Sequence, residues 1–176
     1  NVSREIANTT QATDSQSTVV ANGYVYIHTG NSVLQLNASN ISRQIADSAD
    51  AGYWAIEGEL AVSEKYVYVR NYSYMLMLNA SNVSKPLIES IKFNWSYPSY
   101  PILVGDSVYT VNNQSVYQLN ASNISKIIAT YGGGSTGWSS PPTVAGGFLY
   151  VLRNTDGALL QLGSPASYGD IANVKI

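Results

Sequence analysis

The sequence predicts an all-β chain made of four copies of a four-stranded antiparallel unit, the β-propeller class, and three observations carry the prediction. The string LNASNISRQIA at Leu36 returns as LNASNVSKPLI at Leu78 and as LNASNISKIIA at Leu119, with a degenerate LGSPAS at Leu162; the intervals are 42, 41 and 43. Each leucine follows a tyrosine, ten residues back for Tyr26, Tyr68 and Tyr109 and twelve back for Tyr150. Between these landmarks lie short β-branched and aromatic runs broken by turn residues, with no helical period. Four strands every 40–45 residues is the period of a propeller blade.

Each repeat reads as strand A, turn, strand B, turn, strand C, turn, strand D. The A strands are Thr18–Ala21, Leu60–Ser63, Ile102–Val104 and Thr143–Ala145. The B strands are YVYIH, YVYVR, SVYTV and FLYVL, all residue types that fit a pleated, half-buried surface. Asn22–Gly23, Gly105–Asp106, Gly146–Gly147 and Asn154–Gly157 are hairpin connectors. The NASN segment is also turn chemistry, because Asn and Ser side chains compete for backbone hydrogen bonds. In the third repeat the C and D strands fall near Val116–Leu119 and Ser125–Thr130. One domain over residues 1–176 is expected, with repeats at about 8–46, 47–90, 91–130 and 131–176.

The opening NVSREIA matches NISRQIA at Asn40–Ala46, so residues 1–7 read as a D strand with no A, B or C before it. A propeller must leave no open edge between its last blade and its first. The expectation is four blades closed by the N-terminal strand. The tail Asp170–Ile176 also reads as a strand, so it competes for the outer place in the fourth blade.

Composition narrows the function classes. Of 176 residues only 11% are charged, the formal net charge is −2 and there is no Cys. Few Lys and Arg leave no electrostatic footprint for nucleic acid or an anionic membrane, and no apolar run is long enough for a membrane-spanning helix. Without Cys there are no disulfides, thiolate metal sites or thiol catalysis. A signal peptide already removed is expected from the start at Asn1.

Asn and Ser/Thr occupy the polar share that charges usually hold: 16 and 33 residues. Random placement would give about three Asn-x-Ser/Thr sequons, yet there are eleven: Asn1, Asn8, Asn37, Asn40, Asn71, Asn79, Asn82, Asn94, Asn113, Asn120 and Asn123. Such density points to a secreted, heavily N-glycosylated protein, extracellular or at the cell surface.

Catalytic options are thin. His28 is the only histidine, and its place at the end of a B strand reads as a surface position. Asp47 with Asp50, or Glu57 with Glu59, read as solvated loop acids. Asn154–Gly157 lacks the downstream ligands of a calcium loop, and Gly132–Gly134 reads as a flexible loop. No catalytic residue, metal site or cofactor is expected. Trp54, Trp95 and Trp138 recur at intervals of 41 and 43 in the D-to-A connections. Inter-blade packing is one reading; stacking on a sugar or a partner is the other.

SSPPTVAGGFLYVLRNTDGALLQL resembles the quinoprotein-like, pyrroloquinoline-quinone-like propeller repeat, and LNASNISK sits where that family has A-L-D-A-x-T-G-K. The resemblance covers all four repeats and implies the propeller fold. Asn37, Asn79 and Asn120 replace the family's Asp, and the Trp that often closes the D strand is absent near Ala46, Ile88 and Ala129. The dehydrogenases of that family use a cofactor, a metal and a catalytic carboxylate, and none of those residues matches a position in this chain. The composition resembles that of archaeal surface proteins. The leading expectation is therefore a non-catalytic structural or assembly subunit of filament type, carrying covalent N-glycans and associating with itself or other surface proteins. A lectin-like module using the Trp-bearing loops is the alternative, and a quinoprotein-type enzyme fragment is the third.

Overall fold

The computed structural model describes residue 8 and residues 15–51, 56–71, 74–90, 92–93, 99–132, 137–138, 140–163 and 173–174. Among the described residues, sixteen strands form four antiparallel four-stranded sheets, each in simple sequence order. The first sheet holds β1 (Ser15–Ala21), β2 (Tyr24–Thr29), β3 (Ser32–Asn37) and β4 (Asn40–Asp47). The second holds β5 (Ile56–Val62), β6 (Tyr66–Asn71), β7 (Met75–Asn79) and β8 (Asn82–Glu89). The third holds β9 (Ile102–Val104), β10 (Ser107–Val111), β11 (Ser115–Asn120) and β12 (Asn123–Gly132). The fourth holds β13 (Thr143–Ala145), β14 (Phe148–Leu152), β15 (Leu159–Leu162) and β16 (Asn173–Val174).

The hairpin turns are those the sequence predicts, and their backbone shows why. Asn22 and Gly23 both have positive φ, 55° and 78°, so they make the I′-like corner that matches the twist of two antiparallel strands. The third-repeat A, B, C and D strands fall within a few residues of their expected places. The outer place in the fourth sheet is held by β16, from the tail, with Gln161 opposite Val174 and Leu162 opposite Asn173. Residues 1–7, the expected closing strand, lie outside the described residues.

The chain divides into two compact units, residues 1–72 with 76–87, and residues 73–75 with 88–176. In the first, Tyr26 and Val33 of the first sheet share a core with Ile56, Leu60, Val67, Val69, Leu76, Leu78 and Val83 of the second. The opposite face of the first sheet buries Ile27, Leu34 and Leu36. In the second unit, Tyr109, Val111 and Val116 pack with Trp138, Leu149, Val151, Leu160 and Leu162. Successive residues on a strand point to opposite faces, so a strand covered on both sides is mainly apolar, and polar residues on it, such as Gln35 and Thr110, are buried with the rest. The middle strands β3, β7 and β10 fit: nearly every residue is buried. Strands β4, β8 and β12 are edge strands, and half or more of the residues of each are exposed.

Polar side chains complete the backbone where ladders stop. The Ser48 hydroxyl accepts the Val33 N–H at 2.8 Å and the Ser90 hydroxyl accepts the Met75 N–H at 2.9 Å, the same latch 42 residues apart. In the third repeat Ser99 accepts the Val111 N–H at 2.8 Å. His28 is fully buried, not at the surface: β5 packs over this end of β2, and His28 Nε2 meets the Ile56 carbonyl at 2.8 Å.

Candidate functional site

The NASN segments form the β3–β4, β7–β8 and β11–β12 turns. In the first and third of these, the two sequon asparagines are direct cross-strand partners, Asn37 opposite Asn40 and Asn120 opposite Asn123. Two residues sit at the tip, Ala38–Ser39 and Ala121–Ser122, and the same tip in the second sheet is Ala80–Ser81. Each tip is tied to the neighbouring hairpin turn by one backbone bond. Ala38 N–H donates to Gly23, Ala80 N–H to Lys65 and Ala121 N–H to Asp106, at 2.9–3.0 Å.

Within the turns the asparagine amides are held in one orientation. Asn37 Oδ1 accepts the Ser39 N–H at 2.9 Å and the Ser39 hydroxyl at 2.6 Å. Asn79 Oδ1 accepts the Ser81 N–H and hydroxyl at 2.8 and 2.6 Å. Asn82 does the same with Ser84 (3.1 and 2.6 Å), and Asn123 with Ser125 (3.2 and 2.6 Å). Asn40 and Asn120 keep only the backbone bond, from Ser42 at 3.2 Å and Ser122 at 2.9 Å. The Ser42 hydroxyl instead donates to the Asn8 carbonyl at 3.1 Å.

This is the Asx turn that makes the motif a turn signal. Its chemical consequence concerns the amide. The sequon hydroxyl and N–H occupy Oδ1, so Nδ2, on the other side of the planar carboxamide, is the atom left to react. A free asparagine samples many amide orientations; here the turn selects one in advance, which removes an ordering cost.

The remaining sequons differ. Asn8 is exposed and Asn71 is half-buried at the end of β6. In the β10–β11 turn the cap is Asn112, whose Oδ1 accepts the N–H groups of Gln114 and Ser115 at 2.9 and 2.8 Å. Asn113, its neighbour, has a buried Oδ1 with no hydrogen-bond partner, and its sequon serine Ser115 is buried, so it is not presented like the NASN asparagines. Asn1 and Asn94 lie outside the described residues.

Trp138, expected as a possible binding residue, is only 3% exposed and belongs to the core of the second unit. Its ring packs edge-on against Tyr131, with centroids 5.9 Å apart. Gly132, which ends β12, makes the room: a Cβ there would stand 3.3 Å from the indole and 2.8 Å from the Gln114 carbonyl. A large apolar ring that can be covered gains more from burial than from water, so packing is the role of Trp138. Trp54 and Trp95 lie outside the described residues.

Other candidates take structural parts. Asp47 Oδ1 caps the short 3₁₀ turn Ser48–Ala51 through the Ala49 N–H at 2.9 Å. Asp156 makes a two-point bond with Arg153 and accepts the Ala158 N–H at 3.1 Å, which closes the β14–β15 hairpin. The Arg153 hydrogen bond, helped by the Ala158 N–H, holds the Asp156 carboxyl at about 2. Among the described residues no group of three or more His, Asp or Glu is placed to hold a metal ion.

Solved structures place the fold. The chain is similar to the computationally designed protein Ika4, at 6% identity and a TM-score of 0.74, covering 92% of this chain and 98% of that one. It is similar to BamB from Moraxella catarrhalis, at 15% identity and a TM-score of 0.63, covering 81% of this chain and 41% of BamB. The WD40 domain of Toxoplasma gondii coronin matches at 13% identity and a TM-score of 0.64, covering 96% and 47%. The chain thus spans less than half of the BamB and coronin structures. No protein-family model and no curated protein matches the sequence. At these identities the likeness concerns the fold alone, and that fold is the β-propeller, with four antiparallel four-stranded blades.

Proposed function

We propose that the chain is a secreted, N-glycosylated surface protein that serves as a structural or filament-type assembly subunit rather than an enzyme, built on quinoprotein-like propeller repeats with a composition in the style of archaeal surface proteins. One observation carries the reading: the same paired sequon recurs in three successive blades, and four of its six asparagines hold the sequon hydroxyl on the amide oxygen at 2.6 Å. A turn needs only one Asn to cap it; a second sequon in every copy is what an acceptor site adds. Glycan attachment at these residues forms a bond from Nδ2 to C1 of the first sugar as the C1–O bond to a phosphate-activated donor breaks. The phosphate leaves with the bonding electrons, and one amide proton passes to a base of the transferase. Such glycans supply hydration that a chain with 11% charged residues lacks.

The positions also suit assembly. Asn40, Asn82 and Asn123 are the first residues of the edge strands β4, β8 and β12. An unpaired edge invites another chain, and native sheets blunt it with charge, Pro or bulk. Lys85 and Pro86 on β8 and Lys126 on β12 act that way, and glycans at the strand starts add bulk. Pairing with a neighbour is then confined to edges left bare. The test is intact-mass measurement with glycopeptide mapping of native protein, alongside its native mass. Hexose-containing adducts at the NASN turns and a mass above one chain support the reading; an unmodified chain mass overturns it.

A further inference from the structure

The paired sequons are not equivalent in what surrounds them. Tyr24 is the direct cross-strand partner of Asn37, so their side chains share one face of the first sheet. The matching residues of the second sheet, 42 positions on, are Tyr66 and Asn79. Both line an open concavity of about 440 Å³, together with Glu64, Lys65, Ser81 and Leu87. That volume lies within the roughly 300–1,000 Å³ of small-molecule sites. Its chemistry is mixed: a half-buried aromatic ring and a Leu that is 45% exposed on β8, rimmed by a carboxylate, an ammonium and a hydroxyl.

The ring is held in place. Tyr66 packs edge-on against the fully buried Tyr68, with centroids 6.2 Å apart and planes at 63°. Tyr24 meets buried Tyr26 in the same way, at 6.1 Å and 63°. The turn is held too, since Tyr26 and Gln35 both bond the Ala80 carbonyl directly after Asn79. A pyranose presents C–H groups on its faces and hydroxyls around its rim, which matches an aromatic floor with polar walls.

We propose that this concavity is the seat of the first sugar of the Asn79 glycan, packed on Tyr66 and Leu87 with its hydroxyls on Glu64, Lys65 and Ser81. The attachment atom belongs to a residue of the wall, so the occupant is the chain's own glycan. The inference rests on the glycosylation proposed above. In the third sheet Ser107 stands opposite Asn120, so a glycan there has no ring to lie on.

The experiment uses glycosylated full chain with Tyr66→Ser, Tyr66→Phe and Asn79→Gln. Ser is the residue found at the matching place in the folded third sheet, so Tyr66→Ser suits the strand. Expected are sugar proton resonances shifted upfield by the Tyr66 ring, kept in Tyr66→Phe and lost in Tyr66→Ser. Asn79→Gln also removes the Ser81 bonds, so it is compared in glycosylated and unglycosylated chain, and the extra drop in Tm in the glycosylated form should be about 2–4 °C, the scale of one modest contact in a chain of this size. That drop should vanish in the Tyr66→Ser background. A glycan on Asn79 with no upfield shift and no such drop overturns the seat and leaves the glycosylation standing. So does Asn79 unmodified while other sequons are occupied. No glycan at any sequon overturns both. The ring-current measurement on the unaltered chain stands even where a variant fails to fold.

Discussion

Gln35 is the residue whose replacement tests the architecture of the first unit most sharply. It is fully buried, its Nε2 donates to the Ala80 carbonyl at 2.9 Å, and its Oε1 accepts the Val83 N–H at 3.1 Å. The Tyr26 hydroxyl donates to the same Ala80 carbonyl at 2.6 Å. Gln35→Met nearly keeps the volume, and Met77, 2% exposed, fills the matching place in the second sheet. It removes both bonds and leaves the Val83 N–H without its acceptor, while Ala80 retains Tyr26. An orphaned buried donor costs about 1–3 kcal/mol, partly offset because the amide no longer has to be buried. A net loss of about 1–2 kcal/mol follows, or a Tm lowered by about 2–8 °C at 2–4 °C per kcal/mol. Tyr26→Phe alone should cost about 0.5–1.5 kcal/mol, because Gln35 still satisfies the carbonyl. In the double variant Ala80 loses both donors, so the costs should exceed their sum by about 0.5–3 kcal/mol. Urea and thermal unfolding of unglycosylated protein measure all four corners of the cycle. A Gln35→Met chain as stable as the parent, or strictly additive costs, would refute the reasoning.

Gly132→Ala should destabilise by at least about 1–3 kcal/mol, because φ there is +100° and the new Cβ would meet the Gln114 carbonyl at 2.8 Å; red-shifted Trp138 emission would accompany it, and an unchanged melt would count against the packing. Asp156 should titrate near pH 2 by carboxyl carbon resonance, and Arg153→Ala should return it toward the usual carboxylate range. Its folded value lies below its unfolded one, so its small, solvent-screened support is present above about pH 3.9 and lost as pH falls through 2. At high pH the sign reverses. Burial pushes the Tyr26, Tyr68 and Tyr109 hydroxyls up, more than hydrogen bonds with Asn22, Ser63 and Ser107 pull them back. Stability should hold below about pH 10 and fall as pH rises above it, and the fall should be shallower in Tyr68→Phe. Ultraviolet titration that ionises every tyrosine together would contradict this.

The blades were readable because their signals are local. A β-branched or aromatic run with a two-residue Asn–Gly corner forms a hairpin wherever it stands, so β1 and β2 and the Asn22–Gly23 turn fall where expected. Repetition then turned one local pattern into four sheets. The sequons were legible for the same reason: an Asn two residues before Ser makes its Asx bond within its own turn. Legibility failed where a residue's fate depends on chain far away. His28 ends a strand and reads as exposed until β5, 28 residues on, covers it. The latches at Ser48 and Ser90 had a signal, their 42-residue spacing, but serines are too common for that spacing to stand out.

What the sequence determined by itself was the all-β class, the period of the repeat, the hairpin corners and the positions of the sequons, since each depends on contacts within a few residues. Tertiary structure alone decided the rest. It buried Trp138 against Gly132 and gave it a packing role. It placed β16 beside β15, with Gln161 opposite Val174 and Leu162 opposite Asn173, a pairing set by the partner strand rather than by composition. It also set Tyr66 beside Asn79 in one concavity while putting Ser107 opposite Asn120. Two sequons with the same NAS spelling therefore meet different walls, because what surrounds an asparagine is set by the strand next to it rather than by its own neighbours in the chain.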